Sequence, residues 1–205
     1  MLQPVAASRL ALGVVVLAGY ADAVSFVQFR EVYASFMSGN TTALGAALAE
    51  GHWHRLGLLA GVVVLFVVGV GLGTGLHRAG RYPAARVLLA IAGLLGVAGA
   101  TPLGLWALVL SMGMLNAAVH QSGSTTLSLT YVTGTLVKVG VGLADWLGGR
   151  GLPAGWAWQA LSWLGLAAGA VAGAGAQAAL GQRALLPAAG AALLLALVAR
   201  RAARA

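Results

Sequence analysis

The chain has 205 residues, of which 60% are hydrophobic and only 8% charged, and its mean hydropathy is +0.91. Soluble domains carry about 25% charged residues, so this chain cannot cover a water-facing surface and reads as a single all-α integral membrane domain over residues 1–205. The net charge of +8 would fit a nucleic-acid binder, but the basic residues are scattered between apolar runs, as membrane topology requires, and the absence of cysteine removes disulfides, thiolate metal sites and Cys nucleophiles.

A membrane-crossing helix needs roughly 20 apolar residues, with a range of about 17–25. The first run, Leu10–Phe29, contains Asp22, the one carboxylate well inside an apolar stretch. Arg9, Leu10–Ala18 and Ala21-Asp22-Ala23 imitate a signal peptide with its cleavage site, yet the run continues to Phe29. An acid near the bilayer centre costs roughly 2.5–3.5 kcal/mol. Asp22 is therefore expected to bind a coupling proton or cation in a polar cavity; the plainer alternative is a cap for a break in the next element.

The second run, Val32–Ala49, holds the densest polar patch, Ser38-Gly39-Asn40-Thr41-Thr42. Ser and Thr cap helix starts and Gly permits close approach, so a half-helix starting here would aim free N–H groups at a carboxylate or other anion. Glu50, His52 and His54 follow; beside Trp53 they read as an interfacial loop rather than a metal site. The runs Leu56–Leu76 and Ala84–Ala100 are separated by Arg78, Arg81 and Pro83, and Leu103–Val119 carries Asn116, with His120 just beyond. The sixth run, Leu127–Leu147, contains Thr133-Gly134-Thr135 and Lys138, the one lysine of the chain. Tyr131, Thr135, Lys138, Gly142 and Asp145 share a helical stripe. Lys138 is a natural ion-pair partner for Asp22, unless its stem snorkels to a surface. Trp156–Leu180 and the shorter Ala184–Ala199 complete the set. Gly71-x-x-x-Gly75 and Gly169-x-x-x-Gly173 mark close helix packing, either within the chain or at a homodimer seam.

The order of these features recurs. Gly19-Tyr20-Ala21-Asp22-Ala23 matches Gly113-Met114-Leu115-Asn116-Ala117, and Ser38-Gly39-Asn40 matches Thr133-Gly134-Thr135. Gly45 and Glu50 match Gly140 and Asp145, and Tyr82-Pro83-Ala84-Ala85 resembles Leu186-Pro187-Ala188-Ala189. The pattern makes two repeats of four elements, 8–101 and 104–200. If the second element of each enters and leaves on one side, Arg9, Arg78, Arg81, Arg86, Arg150, Arg200, Arg201 and Arg204 share a face against Arg30, Arg55 and Arg183. That bias predicts six full spans, two broken or re-entrant elements, inverted repeats and both termini in the cytoplasm. The alternative is eight full spans in parallel repeats.

At Gly19-Tyr20-Ala21-Asp22-Ala23, Phe36-Met37-Ser38-Gly39-Asn40 and Tyr131-Val132-Thr133-Gly134-Thr135 the chain resembles the YoaK-like family of bacterial inner-membrane proteins, with Ser38 in place of the usual threonine. The resemblance implies a multi-pass protein of the bacterial inner membrane and supplies no substrate. No Walker loop, His-Glu-x-x-His or Gly-x-Ser-x-Gly is present, so no enzyme activity and no cofactor or metal are expected. The expected function is gradient-driven transport of a small polar or anionic solute across the lipid bilayer. Its expected site comprises Asp22, Ser38, Gly39, Asn40, Asn116, Thr133, Gly134, Thr135 and Lys138. The competing class is a non-transporting membrane scaffold or assembly protein.

Overall fold

The structure, a computed structural model, describes residues 4–121 and 132–204. Among them are eight α-helices: α1 (Pro4–Gln28), α2 (Met37–Ala49), α3 (Trp53–Arg78), α4 (Pro83–Ala100), α5 (Gly104–Gln121), α6 (Val132–Leu147), α7 (Trp156–Leu180) and α8 (Leu185–Ala202). A 3-10 turn, Gly181–Ala184, joins the last two. Leu10–Gln28, Trp53–Arg78, Pro83–Ala100 and the α7–α8 stretch Trp156–Ala202 are long and apolar enough to cross a membrane, and Gly104–Ala118 is a shorter apolar helix. The all-helical membrane architecture expected from composition is therefore present.

Close contacts fix the helix directions. Gly165 lies against Leu12 and Gly173 against Tyr20, so α1 and α7 run parallel. Gly61 meets Trp106 and Gly73 meets Met114, so α3 and α5 also run parallel. Gly13 lies against Leu195 while the Tyr20 hydroxyl donates to the Ala184 carbonyl at 2.6 Å, which sets α8 antiparallel to α1. Gly99 meets Leu186 and Tyr82 meets Arg204, so α4 is antiparallel to α8. The ends of α1, α4 and α7 and the starts of α3, α5 and α8 consequently share one rim. At that rim Gln182 bridges the helix ends by donating from Nε2 to the carbonyls of Ala98 (3.0 Å) and Thr101.

The two parallel crossings are built alike. A Cβ on Gly19 would strike the Leu166 carbonyl, and one on Gly169 the Val16 carbonyl. In the other crossing a Cβ on Gly113 would strike the Phe66 carbonyl, and one on Gly69 the Leu110 carbonyl. Backbone touches backbone at both places because no side chain intervenes. In lipid, where apolar burial gains nothing over acyl chains, such contact is what dispersion attraction needs. Gly169 and Gly173 are thus used within the chain, whereas Gly71 and Gly75 are exposed, with no atom within 4 Å of a Cβ added at either.

The core centres on α4, which packs against both α8 and α5. Large residues on α4 (Val87, Leu88, Ile91, Leu95) are buried together with a stripe of small ones on α8 (Ala188, Ala192, Ala196, Ala199). Alanine at every third or fourth residue leaves a groove that leucine and isoleucine can fill. Within the apolar run Val32–Ala49, expected to be broken at Ser38-Gly39 or to re-enter, helix begins only at Met37. Arg30 and Glu31, with φ of 54° and 67°, turn the chain back before that helix starts. Left-handed backbone costs L-residues roughly 1–2 kcal/mol each, so the turn needs contacts on either side to hold it.

Candidate functional site

A row of hydrogen bonds holds the turn and returns the chain alongside α1. Ser25 Oγ donates to the Val32 carbonyl at 2.8 Å. Ser35 N–H donates to Asp22 Oδ1 at 2.6 Å, and Ser35 Oγ donates to Oδ2 at 2.5 Å. Ser25 and Asp22 are successive positions on one face of α1, met in reverse order by Val32 and Ser35. Residues 32–35 therefore run antiparallel to α1, back into the apolar layer. Asp22 lies six residues before the end of α1, a depth of about 9 Å at about 1.5 Å per residue. Helix α2 starts near this depth and returns over 13 residues to the start of α3, against which it packs. The segment 30–49 is thus a hairpin folded back alongside α1, with both of its ends on the rim of Arg30, Arg55 and Arg183.

Non-helical backbone at membrane depth leaves N–H and C=O groups that lipid cannot satisfy. Two side chains answer this need. Asn40, fully buried, receives the Tyr33 N–H on Oδ1 at 3.0 Å and donates from Nδ2 to the Tyr33 carbonyl at 2.8 Å. Asp22 takes the Ser35 amide and hydroxyl and also faces the N–H groups of Ala34 and Phe36. The Ser35 amide and hydroxyl thus bind one carboxylate oxygen each. Gly39 has a third task. A Cβ there would lie 2.6 Å from the Phe36 ring and 3.0 Å from the Tyr33 ring. Those rings stack edge to face at 5.1 Å, and Tyr33 also meets Phe26 at 5.1 Å. Beyond the hairpin, Gln28 Oε1, His77 Nδ1 and Gln177 Oε1 are buried with no hydrogen-bond partner among the described residues.

A family model described as "Protein of unknown function (DUF1275)" matches residues 10–198. The chain belongs to this family. It is 38% identical over 163 residues to the UPF0700 transmembrane protein RA0705 of Rhizobium meliloti (strain 1021), covering 77% of this chain and 70% of that one. No solved structure matches the chain. The family is the uncharacterised membrane family to which the three motifs pointed. Of their residues, Gly19 falls at the α1–α7 crossing, Gly39 and Asn40 in the hairpin, and Asp22 on α1 where it binds the hairpin.

The residues expected to form one site are only partly brought together. Asp22, Gly39 and Asn40 converge; Ser38 is exposed on the outer side of α2, where its carbonyl receives the Thr42 hydroxyl at 3.0 Å. Asn116 is spent within α5, donating from Nδ2 to the Met112 carbonyl at 2.9 Å. Gly134 and Thr135 are half-buried on α6, while Thr133 and Lys138 are exposed. Ser124, Thr125, Thr126, Thr130 and Tyr131 lie outside the described residues. The expected Asp22–Lys138 pair is not formed. Helix α6 is packed on α7, with Trp156 Nε1 donating to the Val139 carbonyl at 2.9 Å, and the Asp22 oxygens are taken by Ser35 and its neighbours. The exposure of Lys138 fits the alternative in which its stem reaches a surface. At the helix ends, Glu50 pairs with His52 at 3.1 Å, and Asp145 with Arg150 at 2.9 Å.

Sequence reasoning missed Ser25, Tyr33 and Ser35. The Arg30-Glu31 pair was the available signal, because two charges between apolar runs mark a turn at a membrane edge.

Proposed function

We propose that the chain is a small membrane transporter made of two oppositely oriented halves, 8–101 and 104–200. In this reading α1, α3, α4, α5, α7 and α8 span the bilayer, while α2 and α6 are re-entrant and both termini face the bacterial cytoplasm. The carrying observation is the hairpin over residues 30–49, whose irregular first arm, residues 30–36, is stitched by polar side chains among apolar helices. Transporters place such elements at their solute sites. The like construction of the α1–α7 and α3–α5 crossings supports the two-half arrangement. Exchange of partners between halves is what an inverted repeat requires. The arginine bias towards the rim of Arg78, Arg81, Arg86, Arg200, Arg201 and Arg204 supports the orientation.

The solute is a small anion, such as a carboxylate, and Asp22 stands in its place. The N–H groups of residues 34–36 hold the Asp22 carboxylate as they would hold a ligand carboxylate. Protonation of Asp22 weakens that hold and frees the donors for a solute, which couples the proton to the anion. No bond of the solute is made or broken, and the reading assigns no catalysis. The test is a thermal-shift screen of small carboxylates, phosphate, amino acids and nucleobases, since a ligand raises stability by mass action. Uptake of each hit is then measured in proteoliposomes bearing wild type or Asp22→Asn. A panel that stabilises nothing, or flux indifferent to Asp22→Asn, refutes the mechanism.

One observation favours a scaffold instead: both oxygens of the carboxylate are already bound by Ser35 of its own chain. That role predicts a loss of stability in Asp22→Asn with no solute able to protect the wild type.

A further inference from the structure

The densest charge on the molecule lies at the other rim, around Tyr82. Arg78 ends α3, Arg81 precedes α4, Arg86 lies in its first turn, Arg200 and Arg201 lie in the last turn of α8, and Arg204 lies just beyond it. Three guanidinium carbons ring one phenol, those of Arg204, Arg81 and Arg200 standing 5.5, 5.8 and 5.9 Å from the Tyr82 centroid. They are therefore within about 12 Å of one another, close enough for like charges to repel at an interface where water is scarce. Arg204 Nε also donates to the Tyr82 hydroxyl at 3.3 Å. Tyr82 itself takes left-handed backbone, φ 60° and ψ 54°, a conformation costly for a bulky side chain. Gly80 leaves room for the Arg86 guanidinium, which would lie 2.9 Å from a Cβ there.

Among the described residues no carboxylate is paired with this cluster. Of its four carboxylates, Asp22 is bound to Ser35, Glu31 lies 3.6 Å from Arg55, Glu50 is paired with His52 and Asp145 with Arg150. The carbonyl ends of α3 and α8 and the face of Tyr82 take up only part of the positive charge. No described side chain supplies the counter-anion, which leaves the cluster open to an anion from outside. Directly above the cluster α8 exposes Leu193, Leu194, Leu197 and Val198, and α4 exposes Leu89. The patch is thus a cationic head with an apolar flank along the direction of an acyl chain.

We propose that the arginines gathered round Tyr82 bind the phosphodiester headgroup of an anionic phospholipid, whose acyl chain lies along α8. Guanidinium forks match phosphate oxygens in pairs, and basic pockets at helix ends on one membrane face recognise such lipids. The site is separate from the hairpin and does not depend on transport.

The experiment measures lipid retention by native mass spectrometry after reconstitution with phosphatidylglycerol or phosphatidylcholine. Wild type retains phosphatidylglycerol in preference. The variant Arg81→Gln/Arg200→Gln/Arg204→Gln holds it roughly 100-fold more weakly, the product of three basic contacts at a charged surface. The control Arg30→Gln/Arg55→Gln/Arg183→Gln removes as much charge from the opposite rim and retains the lipid. Should the first triple variant not fold, Arg204→Gln alone is compared with Arg183→Gln, with a loss of roughly five-fold expected in the former. Equal losses from both rims, or undiminished retention when the Tyr82 cluster is altered, overturn the proposal. So does displacement of the lipid by millimolar inorganic phosphate, which identifies a site for a free anion.

Discussion

Asn40 closes both hydrogen bonds of the Tyr33 backbone, accepting its N–H and donating to its carbonyl at 3.0 and 2.8 Å. One side chain in the first turns of α2 thereby stands in for a neighbouring strand. Asn40→Leu removes both partners and leaves two polar groups in an apolar layer, at about 1–3 kcal/mol for each. The expected result is a marked drop in detergent melting temperature. In this cysteine-free chain a Ser38→Cys reporter should also react faster with a water-soluble maleimide once Asn40 is replaced. An unchanged melt together with unchanged labelling would show that the clamp does not hold the hairpin.

Replacing Asp22 should separate its charge from its shape. Asp22→Asn keeps one oxygen acceptor, whereas Asp22→Ala abandons all the donors of residues 34–36. Hydrogen bonds to charged groups contribute about 1.5–3 kcal/mol each, so the expected order of stability is wild type, then Asn, then Ala. Chemical or thermal denaturation of the three proteins in one detergent decides it. An alanine variant as stable as wild type would refute the capping role.

The two parallel crossings should respond alike to added bulk. Valine at Gly19 or at Gly113 drives side-chain carbon into a carbonyl of the facing helix, where overpacking typically costs about 1–3 kcal/mol. Gly71→Val meets open space, so it should shift stability by about 0.5 kcal/mol or less, as exposed substitutions do. The melting temperatures of these three variants are the check. A Gly71→Val penalty as large as that of Gly19→Val would point to a partner surface on the outer face of α3.

The Tyr82 hydroxyl should ionise early. The hydrogen bond from Arg204 and the charges of Arg204, Arg81 and Arg200 lower its pKa below the ordinary tyrosine value near 10. An acid whose folded-state pKa is depressed adds stability as pH rises through that pKa, in full only above the unfolded value, and loses it on the way down. The window is therefore alkaline, and nothing is contributed at neutral pH. Spectrophotometric titration of tyrosinate should show a component that titrates below the rest, moves up in Arg204→Gln and disappears in Tyr82→Phe. A titration identical in all three proteins contradicts the assignment.

Much of this architecture is legible in the residues. Composition determines the membrane class, and Asp22, Gly39 and Asn40 stand out as polar or small residues in runs that have no need of them. Their task is less visible. Asp22 and Lys138 invite pairing because both charges stand alone in apolar runs, yet short-range partners win: Ser35 is 13 residues away and is held by a turn at Arg30-Glu31, which carries neither Gly nor Pro. Period and hydropathy cannot distinguish residues 32–36 from helix, since Val32, Tyr33, Ala34 and Phe36 are as apolar in extended backbone as in a helix. The glycines at the crossings are recognisable by type, but which of them meets a neighbour depends on helix rotation. Gly71 and Gly73 stand two residues apart, and only the second is covered.

The hydrogen bonds that fasten the hairpin to α1 and to itself join residues no more than 13 apart, and closing so short a loop carries a small entropic penalty. The contact between α1 and α7, by contrast, spans most of the polypeptide. During synthesis the hairpin can therefore settle against α1 well before the seventh helix has been made. The glycine face of α1 must then wait in lipid until its mate arrives from the last quarter of the chain.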